Sequence, residues 1–286
     1  MHIEAMYKQI KHSHFFALFF ALILLHFSFI ATASENSIRL RYEVVRTLPH
    51  DASHFTEGLV FFDGNIFESA GHYGTSALLK KNPATGRIAQ KRANLAQHFA
   101  EGLAILNNKI IQLTWREHTA LIYDLQFHPL QQLHYGTEGW GLTSMPKLNQ
   151  LVMSDGSSQL RFLDGTNFRE LRTITVHDGA HEIPMLNELE EADGLIYANV
   201  WLTDLIAAID PQEGRILGWL DMSALKNLFE KPKNWNEREN VLNGIAYDPK
   251  SQHFYVTGKC WPAMFEIRID RTPLQTQAAA GTATPQ

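Results

Sequence analysis

Five short stretches of this sequence place residues capable of proton transfer, hydrogen bonding or ring stacking at one repeated position. They are Phe55-Thr56-Glu57-Gly58-Leu59, Phe99-Ala100-Glu101-Gly102-Leu103, Gly139-Trp140-Gly141-Leu142, Leu186-Asn187-Glu188-Leu189 and Leu242-Asn243-Gly244-Ile245. Two residues before each closing aliphatic stand Glu57, Glu101, Trp140, Asn187 and Asn243. Two carboxyls, two carboxamides and an indole gathered in one ring would join acid/base capacity to an apolar wall. A carboxyl flanked by Phe99, Gly102 and Leu103 and enclosed beside indoles is expected to have a raised pKa, because desolvation disfavours its charged form. Such a group can hold and return a proton near neutrality. The competing reading makes the same five residues polar strand starts on a solvated channel mouth.

A second layer follows at a similar offset. Trp115 and Trp201 lie 14 residues after Glu101 and Asn187, and Lys259 and Trp261 lie 16 and 18 after Asn243. The shared phase predicts a wall around a pocket for a small, partly apolar group; independent burial of each tryptophan in the core is the other explanation. Trp219 and Trp235 carry no such inference. The sequence lacks a Gly-x-Ser-x-Gly elbow, a His-Glu-x-x-His pair, a phosphate loop and a dinucleotide fingerprint. His177, His181 and Glu182 sit on an apparent inter-blade loop without a third spaced metal ligand. Asp155-Gly156-Ser157-Ser158 reads as a hairpin turn. Cys260 is either a thiol activated by Lys259 or a small buried residue.

The positioning elements are short strands. In the first unit, runs around Gly58–Phe62, Asn65–Glu68, Ala77–Lys80 and Arg87–Gln90 are separated by Asp63-Gly64, by Gly71 to Gly74 and by Asn82 to Gly86, all turn chemistries. The five aliphatic ends are spaced by 44, 39, 47 and 56 residues, periods that imply stacked supersecondary units. The expected fold is all-β: a five-bladed propeller with four antiparallel strands per blade. The last unit lacks a strand, and Ile38 to Val45 is predicted to supply it and close the ring. The longest gap holds an insertion, Ser223 to Asn240, with a short helical pattern. A two-sheet sandwich is the other all-β arrangement, but it gives no reason for a five-fold signature.

The chain has 286 residues, 45% hydrophobic, 11% aromatic and 19% charged, with 18 Gly and 11 Pro, a balance that excludes disordered, collagen-like and coiled-coil classes. Lys+Arg 25 against Asp+Glu 30 gives −5, and no basic cluster supplies the footprint that a nucleic-acid partner requires. A single cysteine excludes an intramolecular disulfide. Residues 1–33 read as a secretory signal: Lys8 and Lys11, the apolar run Phe15 to Ile30, then Ala31-Thr32-Ala33 before Ser34. An uncleaved anchor is the alternative, although the run is shorter than the roughly 20 residues of a spanning helix. The expected organisation is a signal peptide over 1–33, one propeller domain over 34–272 and a tail over 273–286 with nothing to bury. A secreted or periplasmic location follows.

The repeated strings, together with Gln112-Leu-Thr-Trp115, Glu138-Gly-Trp140-Gly-Leu, Ser154-Asp-Gly-Ser-Ser158, Leu186-Asn187-Glu-Leu-Glu190, Ala198-Asn-Val-Trp201 and Thr257-Gly-Lys259-Cys-Trp-Pro262, resemble the plant and bacterial type of glutaminyl cyclase over about residues 40 to 270. Each string alone is weak; their order and spacing carry the resemblance. It implies a five-bladed propeller that converts the N-terminal glutamine of peptides or proteins to pyroglutamate with release of ammonia, using no cofactor and no catalytic metal. It implies Glu101 as the acid/base group and Trp115, Trp140 and Trp201 as an aromatic pocket. Phe55, Asn187 and Lys259 fall at substrate contacts, and Gln112 is a further candidate contact. Glu57 stands where the plant form has glutamine, and either meets the substrate's ammonium or rims the channel. In the expected mechanism Glu101 first takes a proton from the attacking amine and then returns it to the departing nitrogen. Asn187 and Lys259 would hold the carboxamide oxygen. A monomer is expected, with no nucleic-acid partner and no membrane contact after signal cleavage. Two other functions stay open: a propeller that binds peptides or sugars without chemistry, and a metal-dependent lactonase-type hydrolase.

Overall fold

Turns in which both central residues have positive φ reverse a strand with the twist that a sheet demands. Asp63-Gly64 (φ 48 and 72°), Asn107-Asn108 (52 and 58°) and Asp193-Gly194 (51 and 90°) are such turns, and each joins the first two strands of a four-stranded antiparallel meander. A computed structural model describes residues 37–274, and five meanders form its blades. Blade I contains Thr56–Phe62, Asn65–Ala70, Ala77–Lys81 and Ile88–Ala93; blade II contains Ala100–Leu106, Lys109–Thr114, Thr119–Asp124 and Pro129–His134. Blade III contains Leu142–Met145, Gln150–Ser154, Gln159–Asp164 and Glu170–Thr175; blade IV contains Leu186–Ala192, Leu195–Val200, Leu205–Ile209 and Ile216–Asp221. Blade V takes Leu242–Asp248, His253–Gly258 and Ala263–Asp270 from the end of the chain and its outermost strand, Arg41–Pro49, from the beginning.

The ring is thus closed as the sequence predicts, with one correction. Ile38 to Val45 is not a single strand. Ile38–Arg39 runs parallel to Ile216–Asp221, with Ile38 opposite Gly218. Leu40 then donates its N–H to the Trp219 carbonyl at 2.8 Å and buries its side chain before the chain crosses to blade V. Gly218 allows this approach, since a Cβ there would lie 2.8 Å from Leu40 Cγ. One segment therefore fastens two blades.

Inner strands are sandwiched between neighbours: Ala100–Leu106 is buried throughout, whereas the outer strand Pro129–His134 is largely exposed. Each of the five blade interfaces has an apolar core of its own. The core that joins blade V to blade I sets Leu48, Ala246, Tyr255 and Met264 against Leu59 and Ile66, with Phe61 stacked on Tyr255. A sandwich would have one core, not five.

The insertion is a 3-10 turn, Ser223–Asn227, beyond which Phe229 folds back onto Trp235, Trp261 and Phe265. His177–Asp178 and His181–Glu182 form a two-stranded ribbon between blades III and IV, where Asp178 accepts the Trp219 indole N–H at 3.0 Å. Leu274, in the segment assigned above to the tail, is buried in the core between blades IV and V, so packing extends past residue 272. The signal over 1–33 and the tail from 275 lie outside the described residues.

Candidate active site

The repeated position owes its geometry to a repeated irregularity. The hydrogen-bond ladder of the inner strand slips by one residue at Glu57, at Glu101-Gly102, at Asn187-Glu188 and at Asn243-Gly244. A bulge leaves its extra residue unpaired and re-aims the side chain. In blade III, Trp140 stands just ahead of the inner strand and accepts the Gly102 N–H at 2.7 Å. The glycine that follows four of the five ring residues lets neighbouring inner strands meet backbone to backbone: a Cβ on Gly58 would lie 2.6 Å from the Leu103 nitrogen, and one on Gly102 2.5 Å from the Leu142 nitrogen. Sequence-distant positions become adjacent in this way.

Glu57 is 1% exposed. Its Oε1 accepts from Lys259 Nζ at 2.6 Å, and its Oε2 from Asn243 Nδ2 at 3.2 Å. Glu57 and Glu101 are hydrogen-bonded to one another. Burial pushes the Glu101 carboxyl well above the usual carboxylate range, and the negative charge of Glu57 pushes it further, against the pull of Lys259. Burial raises Glu57 too, but there the Lys259 ammonium and the Glu101 hydrogen bond oppose it. Of the two, Glu101 is the one pushed further toward its protonated form, while the Lys259 ammonium favours charge on Glu57. Glu57 is buried rather than exposed on a channel rim.

Rings adjoin the pair. Lys259 Nζ lies 4.6 Å from the Phe55 ring centre; Phe55 meets Phe99 edge-on at 6.3 Å, and Phe99 meets Trp115 at 5.6 Å. Trp140 and Trp201 cross at 87° with centroids 5.5 Å apart. Phe55, Phe99, Trp115, Trp140 and Trp201 are all half-buried. A Cβ on Gly71 would touch both the Phe99 ring and Glu57 Cγ, which places the Phe99 ring close to Glu57.

Asn187 is 2% exposed, and its Oδ1 is buried without a hydrogen-bond partner. Two expectations need correction. Gln112 is fully buried, its amide donating to Ser69 Oγ at 2.9 Å and accepting from Asn94 Nδ2 at 2.8 Å; it ties blade II to blade I and is not free for a substrate. Trp261 is also fully buried, donating to the Asn240 carbonyl at 2.9 Å, and belongs to the core rather than the wall. Asp155 accepts the Ser157 N–H at 3.1 Å, as a turn residue does. Burial raises the Cys260 thiol, which leaves it protonated.

Sequence reasoning missed three sets of residues. Glu138 accepts the indole N–H groups of both Trp115 and Trp140. Glu188 stands where the four other repeats have glycine, and its carboxyl reaches the Leu59 N–H at 3.1 Å and the Ile245 N–H at 2.7 Å; comparing that column of the repeats would have exposed it. His50, His54 and Glu68 are the one group of metal-ligating type among the described residues, with ligand atoms within 4.8 Å of one another. Lys81 fills this cluster, donating to Glu68 and lying 2.8 Å from His54 Nδ1. Although burial works to raise Glu68, the Lys81 and histidine contacts carry it well below its ordinary value. An ammonium thus sits where a cation would. The cluster also fastens the flanks of the carboxyl pair: Thr56 Oγ1 donates to Glu68 at 2.8 Å, His50 Nδ1 meets the Trp261 carbonyl at 2.6 Å, and the Cys260 N–H reaches the His54 carbonyl at 2.8 Å.

A glutaminyl-peptide cyclotransferase of Arabidopsis thaliana is 34% identical over 258 residues, covering 87% of this chain and 79% of that protein. The crystal structure of Myxococcus xanthus glutaminyl cyclase aligns with a TM-score of 0.74 at 34% identity, covering 82% of this chain and 98% of its own. The glutamine cyclotransferase family pattern matches residues 18–269. The chain belongs to the glutamine cyclotransferase family.

Proposed function

We propose that this protein is a glutaminyl-peptide cyclotransferase, which closes the N-terminal glutamine of peptides or proteins to pyroglutamate and releases ammonia. The observation that carries this reading is the buried Glu57–Glu101 pair, with Lys259 bonded to Glu57 and the half-buried rings of Phe55 and Phe99 beside them. In the reaction the α-amine nitrogen attacks the carbon of its own γ-carboxamide. A new C–N bond closes the ring, the bond to the amide nitrogen breaks, and a proton passes from the attacking to the departing nitrogen. Glu101 rests protonated, so it gives its proton to the departing nitrogen and recovers one from the ring nitrogen. Burial therefore inverts the base-then-acid order expected from sequence.

Lys259 commits one donor to Glu57; an ammonium has three, and the others suit the carboxamide oxygen as charge develops there. The unpartnered Oδ1 of Asn187 is an acceptor, so it suits a substrate N–H and not the oxygen. Phe55, Trp115, Trp140 and Trp201 would hold the side chain folded back on itself, which supplies the proximity that an intramolecular attack needs. Export to the periplasm or exterior is part of the proposal and rests on the sequence of residues 1–33.

The test is incubation with a Gln-initiated peptide and mass detection of ammonia loss. An unchanged mass with saturable binding would leave a peptide-binding propeller. Activity on lactones that chelator abolishes would favour the metal-dependent hydrolase.

A further inference from the structure

We infer that Glu138 is the positioning residue of the aromatic wall, one carboxylate that sets the indoles of two blades in the orientation a substrate meets. Glu138 lies between Pro129–His134 of blade II and Leu142–Met145 of blade III. Its Oε2 accepts from Trp115 Nε1 at 2.7 Å and from Trp140 Nε1 at 3.1 Å. Its Oε1 accepts from Arg116 Nε at 3.2 Å, and the Arg116 guanidinium lies 3.8 Å from the Trp115 ring centre. Two N–H groups that converge on one oxygen hold the N–H edges of both rings together, and hydrogen bonds to a charged acceptor are about twice as strong as neutral ones.

Each indole passes the constraint on. Trp140 rests against Gly156, where a Cβ would come within 2.6 Å of the ring, and its edge sets Trp201. Trp115 sets Phe99. Burial works to raise Glu138, but the bonds from Trp140, Trp115 and Arg116 carry it below its ordinary value, so it is charged at neutral pH. That charge also adds to the upward push on Glu101. Glu138 thus acts on the wall through its hydrogen bonds and on the Glu101 proton through its charge.

Two variants separate these effects. Glu138→Ala removes both: the tryptophan emission of the ligand-free protein is expected to shift to the red, and KM for a Gln-initiated peptide to rise by about tenfold or more, with a smaller change in kcat. Glu138→Gln keeps an acceptor oxygen without the charge. Its emission should stay that of the parent, while the high-pH limb of kcat/KM moves to lower pH. Unchanged emission and KM in the alanine variant would overturn the inference; if that variant does not fold, unchanged emission and KM in Glu138→Leu, which removes the acceptor and keeps the bulk, would do so. The inference rests on the cyclase reading for its kinetic part. The emission does not, so a protein that fails to cyclise the peptide can still show whether Glu138 holds the indoles.

Discussion

Burial holds the Glu101 carboxyl toward its neutral form, and the charge of Glu57, itself bonded to Lys259, adds to that push. Glu101→Gln has no proton to give. It is expected to lower kcat by about 10²–10⁴-fold with an unchanged melting transition, since an amide can still hydrogen-bond to Glu57; near-parental kcat in the peptide assay would remove Glu101 from the chemistry. Glu57→Gln removes the like charge that raises Glu101 and frees Lys259 to act on it. The fall in kcat/KM on the alkaline side should then come at lower pH, and a limb that stays in place would show that the two carboxyls are not coupled. The repeat made the ring position of Glu57 legible, but not its partner, because nothing local marks a contact with a lysine 202 residues away. Gln112 misled for the opposite reason. It shares a string with Trp115, yet it lies inside the Lys109–Thr114 ladder and faces the next blade, whereas Trp115 lies just past the strand end.

Strand ends rather than sequence offsets define the wall. The first residue after the second strand of each blade is Gly71, Trp115, Asp155, Trp201 and Lys259. Lys259 is thus the structural counterpart of the two indoles. Trp261, two residues further along a turn in which Cys260 has φ 57°, swings into the core. Counting from the inner-strand signature could not separate them, because blade V has a longer interval. The inner-strand glycines were legible as a pattern, but their physical cause is the contact between blades. Gly141 is the severest case, since a Cβ there would run into the backbone carbonyl of Asn187. Backbone cannot yield as a side-chain tip can. Gly141→Ala should therefore part blades III and IV, with a loss of about 2–5 kcal/mol in urea unfolding, and raise KM through the displaced Asn187. A parental unfolding midpoint would mean that the inner strands are not packed this tightly.

The ring as a whole depends on pieces that do not belong to a single blade. The crossing at Leu40 could not be read from sequence, because Ile38 to Val45 continues the same strand pattern while its partner changes from blade IV to blade V. The axis is joined by carboxyls from blade IV: Glu188 reaches blades I and V, and Glu190 accepts the Tyr247 N–H at 2.7 Å and the Thr143 hydroxyl at 3.3 Å. Burial pushes both well above the usual range, with the charge of Glu190 adding to Glu188. The unfolded chain loses these protons near the ordinary value of 4.5, while the folded ring keeps them. Stability from this source is complete below that pH and declines as pH rises through the folded pKa values. Glu68 has the opposite sign, since its lowered value gives stability that is lost on acidification below 4.5. Glu188→Gln isolates the first effect. Its amide nitrogen cannot accept, so one backbone N–H loses its partner at a cost of about 1–3 kcal/mol, but the side chain no longer titrates. Between about pH 5 and pH 8, the unfolding free energy from urea titrations should fall less steeply than in the parent. An equally steep fall would place the titrating group elsewhere than on the axis.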